Sequence, residues 1–453
     1  MNLHSMLLQR AEQDKPIRIG LIGAGKFGSM FLAQARRTAG FHVAAIADLA
    51  VDRARGNLVR IGWPPEAALV GSLDDALSGG DTWLTDDAME VATAPAIDVV
   101  IEATGVPEAG IRHATAAIAA GKHIVMVNVE ADVLTGPLLA EQAAAAGVVY
   151  SMAYGDQPAL IAEMVDWARA AGFHVVCAGN GTKYLPAYHA LTPDTVWDRY
   201  GISPEDAETG GMNSQMFNSF MDGTKSAIEM AAVANACGLQ PAADGLAFPP
   251  CGVDDLARVL RPATEGGCLE RSGTVEVVSS LERDGRPVFR DLRWGVYAVF
   301  EAPDPYVARC FAEYGLATDP SGRFAAMYKP YHLIGLELGI SVANAALRGE
   351  PTGSARAWNG DAVAVAKRDL TPGERLDGDG GYTVWGKLMP ASASLARRGL
   401  PIGLAHGVDL VRDVPEGSIL SWDDVAAADG GEAFRTRRAM EERFAGRVAA
   451  AAE

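Results

Sequence analysis

The sequence predicts an α/β protein in which a doubly wound parallel sheet comes first, an α+β domain follows, and a small β-rich domain ends the chain. A glycine-rich turn between an apolar strand and a helix, and the alternation of strands with helices after it, predict the parallel sheet. Short apolar segments separated by glycine and proline predict the β-rich end. We expect the domains at 1–156, 157–352 and 353–453.

The glycine-rich turn follows the first predicted strand, IRIGLI. Gly23, Gly25 and Gly28 form the pattern GxGxxG, which permits a tight turn, close approach of a pyrophosphate and close packing of helix on strand. The free N–H groups of the helix that starts near Lys26 and Phe27 would point at the phosphates. The turn therefore predicts a Rossmann sheet with a dinucleotide site.

The next apolar strand indicates which dinucleotide could bind. It ends in Asp48, twenty residues after Gly28, where a carboxylate can accept hydrogen bonds from the adenosine ribose and so favours NAD. Arg53 and Arg55 follow closely, and either could instead meet the 2′-phosphate of NADP. The sequence leaves both cofactors open.

Two further strands of the predicted sheet end in loops at the same edge. The strand at 98–102 is followed by ATGVP, and the strand at 123–127 is followed by NVE. Ligands of open α/β sheets bind at the carboxyl ends of the strands. The cofactor contacts expected there are Thr104, Gly105, Asn128 and Glu130.

The composition is that of a globular protein with a strong negative charge. The 453 residues have a formal net charge of −18, which argues against nucleic acid or an anionic membrane as a partner. The five cysteines are scattered without CxxC spacing, and we find no leader pattern or membrane-spanning run. We expect a cytoplasmic homo-oligomer, a dimer, that holds a small anionic or polyol substrate with a local basic cluster.

The predicted second domain contains a largely apolar helix at 214–236 with a polar stripe. Asn218, Asp222, Lys225 and Glu229 recur at i, i+4, i+7 and i+11, a spacing that places them on one helix face. The apolar remainder favours a mainly buried helix whose stripe faces a cleft over an ion-paired surface helix. We predict that the four residues are catalytic, with Lys225 as general acid/base or as the group that polarises a carbonyl.

Two loops supply further candidates. Lys183 follows a predicted strand at 173–178 in the sequence GNGTK, where it is either a catalytic ligand for an anion or carbonyl, or a solvated loop charge. Asp156 lies in the turn GDQP between the first two domains, and we expect it to contact the substrate.

Another polar group stands at the start of the last helix predicted for the second domain, at 327–347. Pro330 suits the first turn of that helix, whose N-terminus could bind a phosphate or a carboxylate. The histidine there could equally be a hydrogen-bonded core residue. The substrate contacts predicted at this helix start are Tyr328, Lys329, Tyr331 and His332.

Residues 353–453 are predicted to form a β-rich module with a helical tail. AVAVAK at 362–367 alternates like a strand, and the related phrases DLTPG and DVPEG mark turns. These phrases resemble the SAF domain, the compact fold shared with the C-terminal region of sialic acid synthases. The charged helix expected at 435–451 has no chemistry that we can assign.

The front of the chain resembles the nucleotide-binding domain of homoserine dehydrogenases through GAGKFG, DVVIEATG and GKHIVMVNVEAD. The order of Asp222 and Lys225 resembles the catalytic helix of that family, which implies substrate binding and proton transfer by these two residues. One position departs from the pattern. The family places a lysine after the asparagine equivalent to Asn128, whereas Val129 and Glu130 follow here, which argues against plain homoserine dehydrogenase activity.

The whole chain resembles the oxidoreductases similar to 1-deoxy-D-xylulose 5-phosphate reductoisomerase, through GTKYLPAYH, DGTKSAIEMA and YKPYHLIGLE with the SAF-like end. The resemblance implies NADPH and either formation of 2-C-methyl-D-erythritol 4-phosphate, an isoprenoid precursor, or action on branched sugar acids such as apionate. The first reaction would need Mn²⁺ or Mg²⁺. The candidate metal ligands, which form no motif by spacing, are Glu130, Asp156, Asp222 and Glu229. A non-catalytic dinucleotide-binding protein is the alternative class.

Overall fold

The computed structural model describes residues 2–63, 68–209, 212–426 and 431–452. The chain forms two compact units. The first contains the residues up to Leu160 together with Leu333–Arg356, and the second contains Ile161–His332 together with the residues from Ala357 onward.

The strands of the first unit form one parallel sheet, and those of the second form a mixed sheet and two small antiparallel sheets. In chain order they are β1 (Ile17–Ile22), β2 (Phe41–Ala47), β3 (Ala68–Val70), β4 (Thr82–Thr85), β5 (Val99–Glu102), β6 (His123–Met126), β7 (Tyr150–Met152), β8 (His174–Thr182), β9 (Thr274–Ser279), β10 (Val296–Glu301), β11 (Phe324–Lys329), β12 (Gly360–Ala366), β13 (Arg375–Asp377), β14 (Val384–Pro390) and β15 (His406–Asp409).

The helices alternate with the strands of the first unit and surround those of the second. In chain order they are α1 (Leu3–Glu12), α2 (Lys26–Ala35), α3 (Val51–Arg60), α4 (Leu73–Gly79), α5 (Ala88–Thr93), α6 (Pro107–Ala119), α7 (Val129–Ala145), α8 (Gln157–Ala170), α9 (Val196–Tyr200), α10 (Pro204–Thr209), α11 (Ser214–Met221), α12 (Thr224–Cys237), α13 (Leu256–Val259), α14 (Pro305–Glu313), α15 (Gly339–Arg348), α16 (Ala391–Arg397) and α17 (Glu432–Ala452). Short 3₁₀ turns lie at Pro186–Ala190, Ala263–Glu265 and Ile402–Leu404.

The parallel sheet has the order β3-β4-β2-β1-β5-β6-β7 within the described residues. Every neighbouring pair is parallel, which confirms the doubly wound sheet. The apolar side chains of β1, from Ile17 to Ile22, are at most 1% exposed because helices cover both faces of the sheet. The strand order reverses between β1 and β5, so the glycine-rich turn and the loop after β5 meet at the point where such sheets bind ligands.

The catalytic helix predicted at 214–236 is two helices, α11 and α12, so the prediction of one continuous helix was wrong. The chain turns at Asp222 and Gly223, and Gly223 has φ +94°, a left-handed conformation that glycine adopts without strain. The helix α12 packs on β9 on one side and on β12 and β14 on another. Each of its residues except Lys225 is buried, so the expectation of a mainly buried helix is confirmed for α12.

The prediction of a helix at 327–347 was also wrong for the first half of that range. Phe324–Lys329 is the strand β11, antiparallel to β10, and the helix α15 begins only at Gly339. The backbone of 324–329 gains its hydrogen bonds from β10. Pro330 then cannot donate a further one, and Gly335 takes a left-handed φ of +78° before the helix starts.

The segment Leu333–Arg356 lies with the first unit, whereas the sequence prediction assigned its residues up to 352 to the second domain and the remainder to the third. Leu338, Val342 and Ala343 of this segment belong to the apolar core around β1 and α2. The hydroxyl of Ser341 accepts the N–H of Tyr154 at 2.7 Å and reinforces this docking. The first unit is therefore built from two separate stretches of chain.

The C-terminal part contains two-stranded antiparallel sheets, β12 with β14 and β13 with β15, so the predicted β-rich end is confirmed. The tail helix α17 is held there by a buried ionic network. Arg437 is fully buried; its guanidinium donates to both carboxylate oxygens of Asp361, at 3.1 and 2.6 Å, and to Glu441 at 2.9 Å.

Candidate active site

The three motif glycines of the first unit are required for different reasons. A Cβ on Gly23, whose φ is +99°, would lie 2.6 Å from the carbonyl oxygen of Ala103, and a Cβ on Gly28 would lie 2.2 Å from that of Gly23. These two glycines permit the tight turn and the close packing of α2 on the sheet. A Cβ on Gly25 would meet no described atom within 4 Å. Gly25 therefore borders open space, as expected where a ligand approaches the backbone.

The start of α2 also fits a pyrophosphate. Gly25 is the N-cap residue of this ten-residue helix, and no described side chain caps the free N–H groups. Such a helix end favours an anion. Lys26 is exposed beside it, whereas Phe27 packs partly against the apolar core. The observed residues thus fit a dinucleotide, with Gly23, Gly25 and Gly28 forming the phosphate cradle.

Asp48 is 9% exposed and supports the same turn. Its Oδ2 accepts the N–H of Ala24 and its Oδ1 accepts the N–H of Ala50, both at 2.9 Å. The guanidinium of Arg53 lies 3.3 Å from Oδ1, with two thirds of the Arg53 side chain exposed. An acid for ribose hydroxyls and a cation for a 2′-phosphate therefore lie side by side, and the choice between NAD and NADP stays open.

The loop after β5 is oriented by a buried acid that sequence reasoning missed. Glu102 is fully buried. Its Oε1 accepts the hydroxyl of Thr104 at 2.6 Å and lies 3.3 Å from Nδ1 of His113. The predicted cofactor contacts Thr104 and Gly105 thus belong to a loop that Glu102 fixes. An acid ending an otherwise apolar strand, two residues before a threonine, was the available signal.

Asn128 caps the helix α7, because its Oδ1 accepts the N–H of Ala131 at 3.1 Å. The side chain is 2% exposed, and its Nδ2 has no hydrogen-bond partner among the described residues. Glu130 lies in the first turn of the same helix. Contact of Asn128 and Glu130 with the cofactor stays a prediction.

In the second unit, Lys225 and Glu229 lie four residues apart on α12, so their side chains are neighbours on one face of the helix. Nδ2 of Asn180, near the carboxyl end of β8, donates to Oε2 of Glu229 at 2.6 Å. Asn180 and Glu229 are both buried. These three residues form a polar centre around the first half of α12, and Asn180 is the member that the sequence analysis did not single out.

Asp222 is fully buried and forms an ion pair with Lys367, with 2.8 Å between Oδ2 and Nζ. Its Oδ1 accepts the N–H of Thr224 at 2.9 Å, at the start of α12. Lys367 also donates to the carbonyl oxygens of Leu191 and Gly381, each at 2.7 Å. Asp222 therefore fixes the first turn of α12. The sequence analysis missed Lys367 because it comes from the C-terminal module.

The predicted polar stripe is divided among separate contacts. Asn218, in α11, is fully buried and donates to the carbonyl oxygens of Leu191 and Gly380 at 2.9 and 2.8 Å. These bonds join α11 to two loops. The alignment of four polar residues on one face was wrong because the turn at Asp222 and Gly223 rotates α11 relative to α12. Lys225 and Glu229 keep the predicted relation.

An aromatic group braces this turn. Nδ1 of His189 lies 2.6 Å from the carbonyl oxygen of Asp222, and Nε2 lies 2.9 Å from the hydroxyl of Tyr184. The imidazole stacks on Trp385 with 3.8 Å between ring centres. Burial, the largest influence, lowers the pKa of His189. A Cβ on Gly223 would lie 3.0 Å from this ring, so the turn requires a glycine there.

Lys183 is not a freely solvated charge. Its Nζ donates to the backbone carbonyl of Arg199. Partial burial, followed by repulsion from Arg293 and Arg199, lowers the pKa of Lys183. The two arginines are further residues that sequence reasoning missed, because neither stands in a recognisable motif.

The remaining predicted substrate contacts do not lie at a helix start. Tyr328 and Lys329 end β11, and Tyr331 and His332 follow in a loop. Nδ1 of His332 lies 2.9 Å from the carbonyl oxygen of Trp294, and Nζ of Lys329 lies 5.4 Å from the ring centre of Tyr331. The helix N-terminus that was to hold the substrate is therefore absent from this position. Contact with the substrate itself stays a prediction.

Asp156 is 5% exposed, and its Oδ1 accepts the N–H of Gln157 at 2.9 Å, where α8 begins. Contact of Asp156 with the substrate stays a prediction. In the chain outside the gaps at 64–67, 210–211 and 427–430, no three His, Cys, Asp or Glu side chains come together as a metal site. The candidate ligands Glu130, Asp156, Asp222 and Glu229 therefore form no cluster of three, and metal binding stays a prediction.

Across the parts of the chain that the structure describes, no helix has both the length and the apolar character needed to span a membrane.

Two domain models match separate parts of the chain. Residues 20–152 match the NAD-binding domain of homoserine dehydrogenases. Residues 155–338 match the catalytic domain of the oxidoreductase DRL. By class, the two matched domains are those of oxidoreductases. More particularly, residues 155–338 are similar to a DRL catalytic domain and residues 20–152 to an NAD-binding domain of the homoserine dehydrogenase type, in agreement with the resemblance seen at the front of the sequence.

Solved structures give distant likenesses. A homoserine dehydrogenase from Thiobacillus denitrificans is 24% identical over 50% of each chain, with a TM-score of 0.36. The reductoisomerase of Zymomonas mobilis, solved with NADPH, is 21% identical over 47% of this chain and 57% of its own, with a TM-score of 0.32. A myo-inositol dehydrogenase from Lactobacillus casei is 14% identical over 40% and 50%, with a TM-score of 0.28.

The chain thus spans about half the length of these structures, and likenesses of this size carry no functional argument. No curated protein matches the chain significantly.

Proposed function

We propose that the protein interconverts a carbonyl and a hydroxyl group on a small anionic polyol, with NAD(P)H or NAD(P)⁺ as the redox partner and Lys225 as the proton-transferring residue. The observation that carries the proposal is the burial of α12. Every residue of that helix except Lys225 is buried between β layers, and the helix lies inside the DRL catalytic match. A buried helix on which one lysine is only partly buried is suited to acid/base chemistry.

The cofactor, when bound to the cradle of the first unit, supplies or accepts the hydride. In the reducing direction the Lys225 ammonium donates a proton to the alkoxide oxygen that forms on the substrate. In the oxidising direction the neutral amine accepts the hydroxyl proton. Glu229 lies four residues along the helix and is fixed by Nδ2 of Asn180 at 2.6 Å. Asp222 and Lys367 keep the first turn of α12 in place.

Two substrates fit this chemistry. One is 1-deoxy-D-xylulose 5-phosphate, with isomerisation followed by reduction; the other is a branched sugar acid such as apionate. The hydride and proton transfers proposed above need no metal, whereas the isomerisation of 1-deoxy-D-xylulose 5-phosphate would need Mn²⁺ or Mg²⁺ supplied with the substrate. The catalytic-domain match favours an enzyme over a non-catalytic dinucleotide-binding protein.

The test is a nicotinamide absorbance assay with the purified protein. NADPH and NADH are offered separately with 1-deoxy-D-xylulose 5-phosphate, with and without Mn²⁺; the oxidised cofactors are offered with branched sugar acids. We expect cofactor turnover with one of these substrates. Cofactor binding, followed by nicotinamide fluorescence, is the control. Intact binding with no turnover of either substrate class would contradict the proposed function.

A further inference from the structure

Three cations lie together beyond the carboxyl end of β8. Lys183 follows the strand directly, Arg199 lies in α9, and Arg293 lies in the loop before β10. The Lys183 ammonium donates to the backbone carbonyl of Arg199. The guanidinium of Arg293 lies 5.2 Å from the ring centre of Tyr200, the residue after Arg199, and 4.7 Å from that of Trp294. Contacts along the backbone and the aromatic rings thus connect the three segments.

A glycine allows this convergence. The N–H of Gly181 donates to the carbonyl oxygen of Gly295 at 3.1 Å. A Cβ on Gly181 would lie 2.1 Å from the carbonyl oxygen of Leu292 and 3.1 Å from the nitrogen of Arg293. Only a residue without a side chain lets the loop that carries Arg293 lie against the end of β8. The position of Arg293 is therefore set by the fold.

The cluster has no negative partner in the described chain. Lys183, Arg199 and Arg293 form no ion pair with a described carboxylate, whereas Arg261 pairs with Asp319 and Arg323 with Glu301. Both arginines of the cluster act on Lys183 and also on Tyr188, which places all these groups within electrostatic range. Like charges held together repel one another, and an anion bound between them would remove that repulsion.

We propose that Lys183, Arg199 and Arg293 bind the anionic group of the substrate, a phosphate or a carboxylate. The inference rests on the proposed function and names the substrate's anchoring group. Arginine and lysine donate charge-assisted hydrogen bonds to both kinds of anion.

The cluster lies at the same end of β8 as the polar centre around α12. Asn180, which holds Glu229, precedes Lys183 by three residues, and three extended residues span about 10 Å. This basic cluster takes the role that the sequence analysis gave to a helix start at residue 327.

The test measures anion binding directly, without turnover. The thermal midpoint of the full-length protein is followed during titration with inorganic phosphate and, separately, with malonate, against sodium chloride of equal ionic strength. NADP⁺ is present throughout so that the phosphate cradle is filled. The variants are Lys183→Gln and Arg199→Gln. Arg309→Gln is the matched control, because Arg309 is an exposed arginine of the same unit that also lies over an aromatic ring.

We expect anion binding to weaken about tenfold in each cluster variant, the loss typical of one charge-assisted hydrogen bond, and to be unchanged in Arg309→Gln. Tighter binding of phosphate than of malonate identifies a phosphorylated substrate, and the reverse identifies a sugar acid. The proposal is overturned if neither anion raises the wild-type midpoint above the chloride control. It is also overturned if the cluster variants bind the anions as tightly as the wild type does, or if Arg309→Gln loses as much anion affinity as the cluster variants.

This experiment separates the anion site from the proposed function. Intact, cluster-dependent anion binding without any cofactor turnover would reject the function and keep the site. Turnover with an unchanged KM in Arg199→Gln would reject the site and keep the function. If both hold, Arg199→Gln raises the substrate KM by about tenfold with little change in kcat.

Discussion

The phosphate cradle of the first unit and the polar centre of the second are held in contrasting ways. The cradle is one continuous turn, Gly23 to Gly28, in which a Cβ on Gly23 or Gly28 would meet a backbone oxygen, and Asp48 supports it by accepting the N–H of Ala24. The centre around α12 draws on distant segments, with Asn180 from β8 and Lys367 from the C-terminal module. The first is specified by local backbone geometry, and the second by the pairing of buried charges.

A buried acid of each unit, Asp222 in the second and Asp132 in the first, also differs in the charge of its partner. Asp222 in the second unit has the ammonium of Lys367 at 2.8 Å. Asp132 in the first unit is buried with a neutral partner, the hydroxyl of Tyr150, at 2.9 Å. Burial favours the protonated form of Asp132, against the smaller and opposite effect of the hydrogen bond from Tyr150. At Asp222, by contrast, removal of the cation would leave a buried carboxylate uncompensated. The two units therefore should respond differently to substitution and to pH.

The largest effect is expected at Lys225, to which we assign the proton transfer in the proposed function. Lys225→Met removes the proton-transferring group from a helix whose other residues are buried, so kcat should fall by about 10² to 10⁴. Steady-state kinetics measures this, with fluorescence to show that cofactor binding persists. Lys15→Met, at an exposed lysine of the first unit, is the control. Unchanged turnover in Lys225→Met would remove the lysine from the mechanism.

The next effect tests whether buried charge pairing holds the second unit. Lys367→Met leaves the Asp222 carboxylate buried without its cation and should lower stability by about 3–5 kcal/mol. The double variant Lys367→Met with Asp222→Asn should recover part of that loss. Denaturant unfolding gives the comparison. Arg258→Met, at an exposed pair with 3.8 Å between charges, should cost about 1 kcal/mol or less. If Lys367→Met and the double variant lose the same free energy of unfolding, Lys367 and Asp222 are not coupled.

A pH series tests the unpaired acid of the first unit. Burial raises the pKa of Asp132 to about 6 from 3.8. The native state therefore binds this proton more tightly than the unfolded chain. The resulting stability is present below about pH 4 and is lost as the pH rises through about 6. The shift corresponds to at most about 3 kcal/mol.

Asp132→Asn keeps an acceptor for Tyr150 but does not titrate. Its thermal midpoint should match the wild type near pH 4 and exceed it at pH 8. Asp74→Asn, at an exposed acid of α4, should follow the wild type throughout. A constant difference between Asp132→Asn and the wild type across the pH range would argue against the unpaired-acid account.

The smallest effects separate the roles of the cradle glycines. Gly28→Ala places a Cβ 2.2 Å from the carbonyl oxygen of Gly23 and should cost about 1–3 kcal/mol of stability. Gly25→Ala meets no described atom within 4 Å, so the thermal midpoint without cofactor should be unchanged. Cofactor binding should nevertheless weaken by about tenfold, because the pyrophosphate needs that space. Normal NADP⁺ and NAD⁺ affinity in Gly25→Ala would place the pyrophosphate elsewhere.

The sequence predicted the features that depend on local backbone geometry and missed those that depend on partners distant in the chain. The parallel sheet, the cradle and the buried helix around Lys225 were predicted because apolar periodicity and turn glycines act over a few residues. The break at Gly223 was missed, since a glycine within a helical pattern is tolerated about as readily as it ends one. Residues 327–329, the end of β11, were taken for a helix because their backbone hydrogen bonds are made with β10, a partner distant in sequence.

By itself, the sequence determined the class of the first unit and named Lys225, because both depend on local backbone conformation and on the spacing of side chains along one helix. Only the tertiary structure decided that Lys367 neutralises Asp222, that Asn180 fixes Glu229, and that Arg199 and Arg293 join Lys183. Buried charge must be compensated wherever the fold brings a partner, and the separation of two residues along the chain does not reveal which partner that is.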